Sequence, residues 1–122
     1  MKALFDTNIL IDYLNGHPAA RDELGRHDSA LISAVTWMEV MVGARNELEE
    51  TTLRRFLTRF EQVPVTPQVA ELAVKLRREQ RMRLPDAIIW ASAKCEDALL
   101  VTRNTKDFPP SAPDVYMPYS LP

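Results

Sequence analysis

Short, nearly unbroken apolar runs alternate along this chain with longer stretches in which apolar residues recur every three or four positions. The runs read as buried strands and the periodic stretches as helices packed on them. Lys2 to Phe5 is the first run, followed by a helix from Asn8 to Leu14. Asn15-Gly16-His17-Pro18 stops that helix and starts a short one over Ala19 to Arg26, because Gly ends helices and Pro begins them. Ala30 to Ser33 is the second run. Val35, Met38, Met41 and Val42 mark a helix ending at Gly43, and Leu48, Leu53, Phe56, Leu57 and Phe60 mark another over Glu47 to Glu61. Val63-Pro64-Val65 reads as a short edge strand, since proline gives the ladder no donor. Pro67 opens a helix through Val69, Leu72, Ala73 and Leu76, and Pro85 opens one carrying Ala87, Ile88, Trp90 and Ala91. Ala98 to Thr102 is the fourth run. The tail holds Pro109, Pro110, Pro113, Pro118 and Pro122, which excludes a helix there and leaves Val115-Tyr116-Met117 as a candidate edge strand. Strands alternating with helices predict an α/β domain over residues 1–122, with a central, mostly parallel sheet flanked by helices in three layers.

Composition narrows the function classes. The chain has 122 residues, 46% hydrophobic and 26% charged, which suits one compact folded unit. A formal net charge of -2 and a pI near 5.7 give no support for a general nucleic-acid coat, although a local basic patch or a metal-mediated phosphate contact stays open. Cys95 stands alone among apolar residues, so an inert buried thiol and a reducing compartment are expected. The start of the chain shows no secretory leader pattern and no run is long enough to span a bilayer, so a cytoplasmic protein with no membrane partner is expected. Three glycines in total and no Gly-rich loop argue against a nucleotide-binding P-loop or a dinucleotide-binding site.

Four acidic or amide positions carry the chemistry. Asp6 ends the first strand, and open α/β sheets bind ligands beyond the carboxyl ends of their strands. Glu39 lies early in the helix after the second strand, Asp86 in the first turn of the helix before the fourth, and Asn104 and Asp107 just beyond that strand. A parallel sheet can bring them to one edge. Clustered carboxylates repel and raise each other's pKa. A divalent cation relieves that repulsion, and Mg2+ favours oxygen ligands with one or two direct carboxylates. Such an edge suits phosphodiester hydrolysis. Each residue also has a bland explanation: Asp6 as a helix cap, Thr36 and Glu39 as a capping box, Asp86 as an anion at a helix N-terminus, Asn104 and Asp107 as turn residues. Their occurrence together at matching element ends favours function. Lys75, Arg77, Arg78, Arg81 and Arg83 lead toward Asp86. They read as a solvated helix face, with Arg81 and Arg83 as candidates for a phosphate track feeding the site. Trp37 and Trp90 are better placed for packing than for base stacking, and His17 and His27 show no metal spacing.

These segments resemble, in order, the four motifs of PIN-domain ribonucleases, especially VapC-type toxins: Phe5-Asp6-Thr7-Asn8-Ile9-Leu10-Ile11-Asp12-Tyr13-Leu14, then Ile32 to Val40 with Gly43, then Leu84-Pro85-Asp86-Ala87-Ile88-Ile89, then Leu100-Val101-Thr102-Arg103-Asn104-Thr105-Lys106-Asp107-Phe108. The resemblance implies a PIN-like fold and Mg2+ or Mn2+ held by Asp6, Glu39 and Asp86, with Asn8, Thr36 and Thr102 lining the site. It implies a metal-dependent endoribonuclease, acting as the toxin of a toxin–antitoxin pair, with RNA as substrate, a small cognate antitoxin as partner and a homodimer as assembly. This chain departs from the family at its fourth acid, where Asn104 stands; either Asn104 or Asp107 completes the site, or three carboxylates suffice. An antitoxin of the simplest chemistry would bring an Arg or Lys to the acids and lay an apolar segment on the helices bearing Trp37, Met38, Met41, Leu53, Phe56 and Leu57.

Two other readings compete. A haloacid-dehalogenase-like phosphatase needs a second Asp two residues after the first, where this chain has Asn8, and a receiver domain needs adjacent acids. A non-catalytic PIN-like RNA-binding module would be expected to have lost one of Asp6, Glu39 and Asp86.

Overall fold

A computed structural model describes residues 2–121; Pro122 of the tail lies outside them. Five strands form one sheet: β1 (Lys2–Phe5), β2 (Ser29–Ser33), β3 (Glu61–Val63), β4 (Leu99–Val101) and β5 (Val115–Tyr116). Their spatial order is β3-β2-β1-β4-β5, and all four pairings are parallel. The helices are α1 (Thr7–Leu14), α2 (Pro18–Gly25), α3 (Ala34–Val42), α4 (Glu47–Leu57), α5 (Pro67–Gln80) and α6 (Leu84–Cys95).

The strands read as apolar runs because both sheet faces are covered. Alternate residues of each strand point to opposite faces. Leu4, Leu31 and Leu100 join Val69, Ala73 and Leu76 of α5 and Ala87, Ile89 and Trp90 of α6 in one core. Ala3, Phe5, Ile32 and Val101 join Ile9 and Leu10 of α1, Ala20 and Leu24 of α2, Val40 of α3 and Leu57 of α4 in the other. Phe5 meets Phe60 edge to face at 6.2 Å between centroids, and Trp90 meets Phe108 at 6.0 Å. Trp90 is thus a core residue, and its indole donates to Asp114 at 3.0 Å, tying the tail to α6.

Several boundaries differ from the sequence reading. The fourth helix ends at Leu57, not Glu61, and β3 occupies Glu61–Val63, so Pro64 follows the strand and removes no ladder bond within it. Phe60 continues the helical spacing yet reaches the core from the turn after the helix. Thr36 is not an N-cap: Ser33 caps α3 by accepting from the Val35 amide at 3.1 Å, and Thr36 is buried inside the helix. Cys95 is half-buried instead of enclosed. Gly16 adopts φ +85, the left-handed turn between α1 and α2 that favours glycine. Among the described residues, no helix is long and apolar enough to cross a membrane.

The chain leaves β1 toward β2 and β3 on one side and returns to β4 on the other. The edge between β1 and β4 is therefore the topological switch point, where open α/β sheets form their ligand crevice. Leu4 sits on the central strand with no exposed surface. Leu4→Ala is expected to cost about 2–5 kcal/mol in urea unfolding, while Leu48→Ala, at a position 77% exposed, should stay within about 0.5 kcal/mol.

Candidate active site

β1 and β4 together build the site. Asp6 follows β1 directly and its amide donates to the Val101 carbonyl at 2.9 Å, so the sheet ladder continues into the acid. Its side chain caps α1, with Oδ1 accepting from the Thr7 amide at 2.7 Å. Its Oδ2 accepts from Thr102 Oγ1 at 2.8 Å and from Asn8 Nδ2 at 3.2 Å. Capping and site formation are one arrangement here.

A cleft of about 300 Å3 opens over this network, lined by Asp6, Thr7, Asn8, Ile11, Glu39, Asp86, Arg103 and Asn104. Three elements thus deliver Asp6, Glu39 and Asp86 to one place. Glu39 is exposed and accepts from Thr7 Oγ1 at 2.6 Å. That hydroxyl has a single proton, so its 3.0 Å contact with the buried Thr36 Oγ1 makes Thr36 the donor. Asp86 sits in the first turn of α6, where the helix dipole favours an anion. Its Oδ2 lies 3.5 Å from Arg83 Nε, an ion-pair distance, but has no hydrogen-bond partner among the described residues despite being enclosed.

The electrostatics follow from this crowding. Burial raises the Asp6 carboxyl to about 6, against hydrogen bonds from Thr102 and the Thr7 amide, and repulsion from Asp86 and Glu39 adds to the rise. Burial also raises Asp86, with repulsion from Asp107 and Glu39 outweighing the pull of Arg83. A raised carboxylate, an orphaned buried oxygen and an all-oxygen donor set fit the chemistry of a divalent cation. Among the described residues, no three acidic, His or Cys side chains converge on one point as placed. Glu39 is turned to Thr7, and Asp86 to Arg83.

The fourth position resolves into a loop. Asn104 lines the cleft, but its Oδ1 accepts from the amides of Lys106 and Asp107 at 3.1 and 3.2 Å, and its Nδ2 donates to Asp107 at 2.7 Å. Asp107 is further held by Arg83 Nη2 at 3.4 Å. Both residues act as turn builders in this arrangement. Thr102 is fully buried and accepts from the Asn104 amide at 3.0 Å, linking the loop to Asp6. Of the two basic candidates, Arg83 is spent between Asp86 and Asp107, while Arg81 is exposed at the left-handed C-cap of α5 (φ 55) and does not line the cleft.

One cluster escaped the sequence reading. Asp12 of α1 is 2% exposed and accepts from Arg103 Nε at 2.5 Å, Arg103 Nη2 at 2.8 Å and the Tyr119 hydroxyl at 2.8 Å. Burial works to raise this carboxyl, yet those hydrogen bonds hold it below the usual carboxylate range. The local signal was an acid three residues from Ile9, on the buried face of an apolar helix.

Comparison with known proteins bears on the whole arrangement. A family model described as PIN domain matches residues 3–109. The chain is 33% identical over 113 residues to Ribonuclease VapC10 of Mycobacterium tuberculosis, covering 87% of this chain and 85% of the relative. Its structure is similar to a chain of a toxin–antitoxin complex from Klebsiella pneumoniae, with TM-score 0.91, 45% identity and coverage of 98% and 99%. It is also similar to a chain of VapBC2 from Rickettsia felis bound to a promoter DNA fragment, with TM-score 0.79, 26% identity and coverage of 94% and 96%.

The raised Asp6 carboxyl has a pH consequence in metal-free protein. The folded state holds its proton up to about pH 6, whereas the unfolded chain releases it near 3.8. Burying the ionised form therefore costs stability progressively as pH rises through that window. In chelator, the stability of Asp6→Asn relative to wild type should rise by about 3 kcal/mol from below pH 4 to pH 7. Urea unfolding of both proteins across that range checks it, and a constant difference would contradict it.

Proposed function

The chain belongs to the PIN-domain family, and from that premise we propose that it is a metal-dependent endoribonuclease, the toxin of a toxin–antitoxin pair, with residues 1–122 as one domain. The observation that carries this reading is the meeting of Asp6, Glu39 and Asp86 in one cleft at the β1/β4 switch point. Asp6, Glu39 and Asp86 are the residues that would hold Mg2+ or Mn2+. When bound, that ion supplies Lewis acidity toward phosphate and water.

The chain's own residues prepare the site. Thr102, Asn8 and the Thr7 amide fix both oxygens of Asp6, so its geometry is set before substrate arrives. Thr7, itself contacted by Thr36, orients Glu39. With a carboxyl near 6, Asp6 is mostly ionised at neutral pH and carries the charge a cation requires. Arg83 bridges Asp86 and Asp107 at the rim, and Asn104 shapes the loop below it. Asn104 and Asp107 serve as supports in this reading, leaving three carboxylates as the ligand set. A haloacid-dehalogenase-like mechanism finds no second acid at the strand end: the residue two after Asp6 is Asn8, an amide that donates to Asp6 and Thr102.

The partner is a cognate antitoxin, in keeping with the toxin–antitoxin complexes among the structural relatives. An apolar groove lined by Ile11, Leu14, Val40, Leu48 and Leu53 runs between α1, α3 and α4, and Ile11 also lines the acidic cleft. An antitoxin segment in this groove would bring a following Arg or Lys to the acids. Of the walls expected from sequence, Leu53 lines this groove, Leu57 is core, and Phe56 stacks on Tyr13 at 5.1 Å. Trp37, Met38 and Met41 line a neighbouring open cleft, with Arg54 over the Trp37 ring. The protein acts in the cytoplasm, as a homodimer, in this reading.

Asp6→Asn, Glu39→Gln and Asp86→Asn should each cut RNA cleavage in Mg2+ or Mn2+ by about 100-fold or more. Circular dichroism should stay that of wild type. Expression of wild type alone should arrest bacterial growth, and expression of these variants should not. Full cleavage by well-folded variants would remove the assigned site.

A further inference from the structure

The acidic cleft has a cation built into its wall. Arg103 lines it beside Asp6, Glu39 and Asp86, and its side chain is one-third exposed. The same residue lines an adjoining polar cleft of about 350 Å3 with Asn8, Asn104, Thr105 and Lys106. Arg103 is thus the shared wall between the two clefts, together with Asn8 and Asn104.

A purely structural ion pair would explain why Arg103 meets the buried Asp12, since an unpaired buried acid is costly. It does not explain why a third of the side chain stays exposed where two clefts meet. A guanidinium is a rigid fork with five donors on two usable edges. The Nε and Nη2 edge is taken by Asp12. Nη1 has no partner among the described residues. The grip on Asp12 fixes where that free edge lies. Tyr119 fixes Asp12 in turn, and the Arg103 amide donates to Asn8 Oδ1 at 3.4 Å, joining the same network that holds Asp6. Arg83, the other cation at the rim, is already bridged between two acids.

We propose that Arg103 is a substrate-contacting residue: its free Nη1 edge receives an RNA phosphate next to the one being cut, and Asp12 and Tyr119 are positioning residues that aim it. This rests on the endoribonuclease reading. Three carboxylates repel a phosphodiester, and a fixed guanidinium beside them gives the backbone a favourable contact. The strand would then run from the acidic cleft across Arg103 toward Lys106.

The test is steady-state cleavage of a single-stranded oligoribonucleotide in Mg2+ across a series of potassium chloride concentrations. Arg103→Gln should raise KM about tenfold. It should also flatten the slope of log kcat/KM against log salt by about 0.7, the loss of one single-strand phosphate contact. Arg103→Lys should restore the slope. Tyr119→Phe should keep the wild-type slope and lower kcat/KM a few-fold, and that loss should vanish in the Arg103→Gln background, which a merely structural role would not produce. If Arg103→Gln does not fold, Arg103→Gln with Asp12→Asn removes the orphaned charge and carries the same expectations. A wild-type slope and KM in the Arg103 variants would overturn the assignment while leaving the nuclease standing. Wild type that cleaves no RNA would overturn both.

Discussion

The parallel pairing of β1 with β4 is the contact on which the site depends. It sets Phe5 opposite Val101 and so places the next residues, Asp6 and Thr102, side by side at the sheet's edge. The hydroxyl of Thr102 then reaches Asp6 at 2.8 Å. From that bond the rest follows outward. Asn8 bridges Asp6 and Thr102, the Asn104 amide closes on Thr102, and the Arg103 amide meets Asn8. A slip of the β4 register would turn Thr102 to the other face and leave a buried acid with fewer donors.

Burial of this acid is unfavourable to the fold alone. Asp6 and Asp86 both have raised carboxyls because they are enclosed near like charge. The helix dipole at α6 and the donors around Asp6 offset part of that cost. Two well-covered sheet faces supply the stability that lets the chain tolerate it. Active sites often combine such local destabilisation with a stable frame. Asp12 is the contrast. Its donors include a charged guanidinium, that of Arg103, beside the Tyr119 hydroxyl, and it is held below its ordinary range. Burial pushes both carboxyls up; at Asp12 the Arg103 guanidinium and the Tyr119 hydroxyl reverse that push, whereas Asp6 faces the like charges of Asp86 and Glu39.

Local pattern made much of this legible. Apolar runs located the strands, and the strand-end position of Asp6 pointed to the switch point. Errors arose where one pattern served two structures. Phe60 sits at helical spacing from Phe56 but enters the core from a turn, so periodicity overran the end of α4. Thr36 and Glu39 have the spacing of a capping box, yet Ser33 is the cap and Thr36 instead contacts Thr7. Asn104 occupies a motif position, but its amide oxygen turns into its own loop. The Asp12 cluster joins residues 91 and 107 positions apart, so its partners had no local signal at all.

Shared coordination by Asp6, Glu39 and Asp86 is tested most directly by calorimetric titration of the purified protein with Mn2+. Wild type should show one saturable site. Asp6→Asn, Glu39→Gln and Asp86→Asn should each weaken it by about tenfold or more, equivalent to about 1.4 kcal/mol. No saturable binding by folded wild type, or wild-type affinity in all three variants, would contradict a cation held by these carboxylates.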